Sequence, residues 1–143
     1  MSDIETADRL SRRRARMLPV LGIFFLTQQA AFFSNPPGER AVDHVRIGAW
    51  VLMTGVLLAA LVTGGAWFRS REVRDLLNDE VTRAHRAAAL SFGFVATIVA
   101  GMLLYVFEPV TRFSTHEVLH LVVSAGIVAA LVRFGMLERR AHS

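Results

Sequence analysis

The chain has no cysteine, no lysine, one tyrosine and four prolines in 143 residues. The lack of cysteine excludes disulfides, thiolate metal sites and a cysteine nucleophile. Charge is scarce as well, at 20% of residues against 53% hydrophobic. It is absent altogether from three long stretches, 17–34, 47–68 and 87–107. About 20 apolar residues suffice to cross a bilayer as a helix. A fourth apolar core, 118–132, reaches that length as 115–137 when His116 and Glu117 sit at one interface and Arg133 snorkels to the other. This distribution excludes a soluble enzyme, a disordered chain and a collagen-like chain. A backbone in lipid must satisfy its own hydrogen bonds, which runs of this kind do as helices. The alternating segments of a barrel are absent. The expected fold is all-α: a polytopic membrane protein, a four-transmembrane-helix bundle, forming one membrane domain over 1–143.

All basic residues are arginine, and their placement orients the bundle. Thirteen lie before the first span, between the second and third, or around the end of the fourth, whereas Arg40, Arg46 and Arg112 lie in the other two loops. The positive-inside rule then puts both termini and the 69–86 loop in the cytoplasm. Trp50, Trp67, Phe68 and Tyr105 fall near span ends, where amphipathic rings favour the headgroup zone. The first span follows a basic segment, as a signal peptide would. Its only small-residue cleavage positions, Ala30 and Ala31, have Gln28 and Gln29 two residues before them, so it reads as a retained anchor. Pro19 is expected in the first turn of that span, where a missing N–H is tolerated.

Residues 1–16 read as a cytoplasmic basic helix. Ser2 and Glu5 form a capping box, and Glu5/Arg9 and Asp8/Arg12 pair at helical spacing. The Arg12–Arg16 patch suits an anionic leaflet, and no nucleic-acid recognition motif accompanies it. The lipid bilayer is therefore its expected partner. In the 69–86 loop, Val73, Leu76 and Leu77 share a helical face, and Asn78 precedes Asp79 and Glu80 as a cap does. Spans two and three are expected to extend as a cytoplasmic helical hairpin turning near Asn78.

The stretch Leu76-Leu77-Asn78-Asp79-Glu80-Val81-Thr82-Arg83, running into Ala87-Ala88-Ala89-Leu90-Ser91-Phe92-Gly93-Phe94, resembles uncharacterised small four-helix bacterial membrane proteins often encoded beside helix-turn-helix regulators. The resemblance covers the middle loop and the third span and carries over no catalytic residue. It implies a bacterial inner membrane location and a regulatory or accessory role.

Gln28 and Gln29 sit at membrane depth, where an amide hydrogen-bonds to a neighbouring helix or contacts a ligand. Adjacent positions point about 100° apart, so the two cannot face one partner squarely. Small residues recur at Gly48, Ala60/Gly64, Thr97/Gly101, Ala125/Ala129 and Gly126/Ala130. Such spacing permits close helix packing, within this bundle or in a homo-oligomer. No acidic residue occupies a span core, as ion or proton transport would require.

One constellation could carry chemistry. His116-Glu117-Val118-Leu119-His120 matches H-E-x-x-H, which places two imidazoles on one helix face as zinc requires. The rival explanation is local: Ser114 and Glu117 form a capping box at the start of span four. The topology puts Asp43 and His44 on the same outer face, and His116, His120, His44 and Asp43 make a sensible donor set for a divalent metal such as zinc, or for haem. Asn35-Pro36-Pro37-Gly38 is similar to the Asn-Pro-Asp-Gly motif of intramembrane metalloproteases of the site-two class. Pro37 replaces the metal-binding carboxylate and the motif order is reversed, so proteolysis is not expected. His85 and His142 are expected on the cytoplasmic side, too far away to join the set.

Spans and short loops consume most of the chain and leave no room for a folded catalytic domain. The expected function is therefore a non-enzymatic accessory, regulatory or assembly role, exercised through contacts with a second copy or with a membrane or cytoplasmic protein. The alternative is a metal- or haem-binding membrane protein that uses the outer histidines.

Overall fold

Apolar helices in lipid are not pressed together by water, so the architecture follows from where their backbones can approach closely. The computed structural model describes residues 3–34, 40–64, 80–108, 110 and 113–141, the side chains at 3, 4, 6–8, 11, 14 and 40–43 excepted. These residues form four helices, α1 (Asp3–Ser34), α2 (Arg40–Thr63), α3 (Glu80–Phe107) and α4 (Thr115–Ala141). All four are long and apolar enough to cross a membrane, in agreement with the all-α, four-span expectation.

The helices are not equal partners. α4 buries His120, Ser124, Ile127, Leu131, Phe134 and Glu138, a stripe advancing by alternating four and three residues. That step keeps side chains on one face of a helix. α1 offers a matching stripe of Ala15, Leu18, Gly22, Phe25 and Gln29. The two run antiparallel, with Gly22 against Leu131 and Gln29 against His120. α2 leans on this core through Leu57 and Leu61, with Trp50 and Met53 packed alongside. Only 11% of the α2 span and 6% of the α3 span is buried, against 44% for α4, which makes α4 the hub.

α3 meets α4 at a crossing of small residues. A Cβ on Gly93 would lie 2.7 Å from the Gly126 carbonyl and 2.8 Å from the Ala130 Cβ, distances that no real side chain tolerates. A Cβ on Gly126 would collide with the Thr97 hydroxyl. That hydroxyl donates to the Gly93 carbonyl at 2.9 Å, so its polarity is satisfied within its own helix. Thr97, Gly126 and Ala130 thus serve packing inside the bundle. Gly93, four residues before Thr97, completes the crossing.

Of the departures from the expected boundaries, two bear on the packing. α2 stops at Thr63, short of the expected Phe68, because Gly64 turns to φ 76°. Glycine enters that left-handed region without a Cβ penalty and commonly ends helices there. α1 is continuous from Asp3, so Pro19 lies in its interior and not in a first turn. An interior proline leaves the carbonyl four residues earlier without its helical donor. Here that carbonyl belongs to Ala15, and it accepts instead from Arg139 Nε of α4 at 3.3 Å. The Ser2 cap, the Asn35–Gly38 segment, the expected hairpin turn with its Asn78 cap, and His142 lie outside the described residues.

The α3–α4 crossing gives a direct contrast between two glycines. Gly93→Ala should destabilise the protein by about 1–3 kcal/mol through overpacking. Gly55→Ala, where no described residue lies within 4 Å of the added carbon, should be neutral or slightly stabilising to the isolated monomer. Denaturation in detergent micelles compares the two, and equal effects would contradict the crossing.

Candidate functional site

The H-E-x-x-H segment opens α4, and its three polar residues take three separate roles. Ser114 is the cap: its hydroxyl accepts from the Glu117 N–H at 3.3 Å, and its own N–H and hydroxyl donate to Glu117 Oε2 at 2.7 and 2.8 Å. The reciprocal box satisfies first-turn groups that would otherwise lack partners. Glu117 is therefore held by the helix start. His116 is exposed, and one turn further His120 is buried, 4% exposed.

His120 sits in a three-sided setting. Its Nδ1 lies 3.0 Å from Gln29 Oε1 on α1, and with the amide oxygen accepting, the ring proton is on Nδ1. Phe32 stacks on the imidazole at 4.1 Å between centroids and 10° between planes. Trp50 of α2 packs against it at 4.1 Å and 32°. One residue thus ties α4 to both α1 and α2. Gln29 is buried while Gln28 is exposed, as adjacent helix positions require.

Around this ring is a cleft of about 210 Å³, lined by Gln28, Gln29, Phe32, Arg46, Trp50 and His120 among others. The Arg46 guanidinium lies 5.7 Å from the Phe32 ring centroid, within reach of a cation–π contact. Trp50 Nε1, Thr54 Oγ1 and Ser124 Oγ are buried without a hydrogen-bond partner among the described residues. Trp50 and Thr54 are one turn apart on α2, as His120 and Ser124 are on α4. The cleft therefore combines aromatic walls with an amide and a cation, chemistry that suits a flat apolar group bearing a hydrogen-bond acceptor.

The metal donors named from sequence fall out as follows. His120 is placed with Gln29, Phe32 and Trp50. His116 and His44 are exposed, and the Asp43 side chain lies outside the described residues. Among the described residues, no three histidine or acidic side chains gather to hold a metal. With Nδ1 engaged, Nε2 is the ring position left for an external ligand.

A second buried polar contact joins α3 to α4. Glu138, 2% exposed, accepts from His85 Nδ1 at 3.3 Å. Sequence reasoning set His85 aside and passed over Glu138. The signal was the stripe itself, since Glu138 stands four residues after Phe134 on the face that begins at His120. Phe32 and Arg46 were missed as well, and Trp50, assigned to the headgroup zone, is half-buried against His120. The chain matches no family model, no curated protein and no solved structure.

The Gln29–His120 contact is open to a double-mutant cycle. Gln29→Leu alone leaves a buried imidazole N–H without its acceptor and should cost about 1–3 kcal/mol. Combined with His120→Phe, which keeps a ring between Phe32 and Trp50, the loss should be less than the sum of the single losses by about 0.6–1.7 kcal/mol. Strict additivity in detergent unfolding would contradict the contact.

Proposed function

We propose that the protein is an integral component of a bacterial inner membrane, both termini cytoplasmic, that acts without catalysis by engaging other transmembrane helices in an accessory, regulatory or assembly role. The observation that carries this reading is on α2. Gly48 and Gly55, two helical turns apart, are exposed, and no described residue lies within 4 Å of where either side chain would be. Gly93, Thr97, Gly126 and Ala130 are consumed by the α3–α4 crossing, whereas these two are not approached by any described residue of the bundle. A helix face with bare backbone allows another helix to approach closely, the geometry that drives association in lipid. The polar residues that could suggest catalysis are engaged in holding the fold, Glu117 in a cap and Glu138 with His85.

A second reading, a metal- or haem-binding membrane protein, is favoured by one feature of His120. Its Nδ1 is fixed by Gln29, as ligating imidazoles are fixed through the ring nitrogen that does not bind metal. His116, His44 and Asp43 would have to supply the further donors.

Mass measurement on protein extracted in mild detergent tests the first reading. The wild type should run above the 15.8 kDa monomer, as an oligomer or with a membrane partner, and Gly48→Leu/Gly55→Leu should reduce it to the monomer. A wild type that is always monomeric would refute the reading. Metal content and visible absorption of the same sample decide the second.

A further inference from the structure

At the end of the bundle opposite His120, the N-terminal part of α1 and the last turn of α4 enclose a cleft of about 390 Å³ lined by Arg12, Ala15, Arg16 and Arg139. We infer that this cleft binds the phosphodiester of an anionic phospholipid headgroup. Three observations combine. Arg12 and Arg16 are one turn apart on α1, so both guanidinium groups rise from one helix face. Arg139 lines the same cleft from α4 and is held in place by a contact to the α1 backbone, Nε donating to the Ala15 carbonyl. That contact exists because Pro19 cannot donate to Ala15. The helices come close enough for it because Gly135 has no side chain: a Cβ there would lie 2.9 Å from the Pro19 ring. The fork of Arg139 is thereby oriented before any ligand arrives, with its terminal nitrogens remaining for one. Arginine forks match phosphate oxygens bidentately.

The apolar surroundings identify the phosphate as part of a lipid. Arg16 abuts Met17, where the charge-free stretch begins. Within a turn of the arginines, toward the spans, Met17, Val20 and Met136 are 46%, 61% and 49% exposed. Acyl chains of a lipid whose phosphate sat in the cleft would run over these side chains, which free phosphate would leave uncovered. The carboxylate next to Arg139 in sequence, Glu138, is buried and meets His85 of α3. Three cations around one phosphate favour a headgroup without its own ammonium, so the ligand class is phosphatidylglycerol-like and not phosphatidylcholine-like.

The test uses the full chain in neutral detergent, titrated with short-chain phosphatidylglycerol, phosphatidylcholine of the same chains, and glycerol phosphate. Native mass spectrometry reads occupancy. Phosphatidylglycerol should bind about tenfold or more tightly than phosphatidylcholine, and Arg12→Gln/Arg16→Gln should remove that preference. The charge-matched Arg13→Gln/Arg83→Gln, at exposed positions that do not line the cleft, should retain it. Equal binding of the two lipids would overturn the inference, as would equal loss in both double variants. Glycerol phosphate binding as tightly as phosphatidylglycerol would overturn the lipid source, leaving a site for free phosphate.

Discussion

Two helices immersed in lipid gain nothing by excluding water from between them, so they stay together only where their surfaces touch closely and their polar groups find each other. In this protein nearly all such contact passes through α4. Its small residues at 126 and 130 let α3 approach to backbone distance, and its Leu131 lies against Gly22 of α1. Phe25, Phe134, Leu61 and Leu131 are enclosed on all sides around it. α2 and α3 surround this hub with most of their own surfaces turned outward. The rest of the fold depends on keeping α4 and α1 in register.

That register is fixed by polar contacts near both ends. At one, His120 meets Gln29. At the other, Arg139 meets the Ala15 carbonyl that Pro19 leaves without its helical donor. In between, the α1–α4 seam is close and, apart from Ser124, apolar. A slip by one residue would part both contacts and separate an imidazole, an amide and a carbonyl from these partners. Proline and arginine thus act as a pair. The first opens a gap in the hydrogen bonding of one helix, and the second closes it from another helix.

Much of this was legible in the sequence. Spans of uncharged residues fix helix number because hydropathy reports directly on the bilayer, and the Ser114–Glu117 box is a local pattern whose partners are three residues apart. The separation of Gln28 from Gln29 followed from helix geometry alone. What failed were judgements needing knowledge of neighbours. The charge boundary at Met17 suggests a helix start that puts Pro19 in a first turn, whereas one helix runs through the basic segment and the span. Glu138 and His85 are 53 residues apart, and their meeting depends on the antiparallel crossing at Gly93 and Gly126, which no short window contains. The i, i+4 spacing of His116 and His120 puts them on one helix face but does not reveal their difference in burial, one turn of helix being enough to take a side chain from the exposed end of α4 into the contact with α1 and α2.

The chain's lack of cysteine makes the central contact directly measurable, since any engineered pair reports without background. A Cβ on Gly22 would lie 3.9 Å from the Leu131 Cβ, inside the range of about 3.5–4.5 Å that a disulfide spans. Gly22→Cys/Leu131→Cys, oxidised mildly in membranes, should therefore form an intramolecular disulfide and resist thiol labelling. Two freely labelled thiols, or cross-links only between separate chains, would contradict α4 as the hub on which α1 is registered.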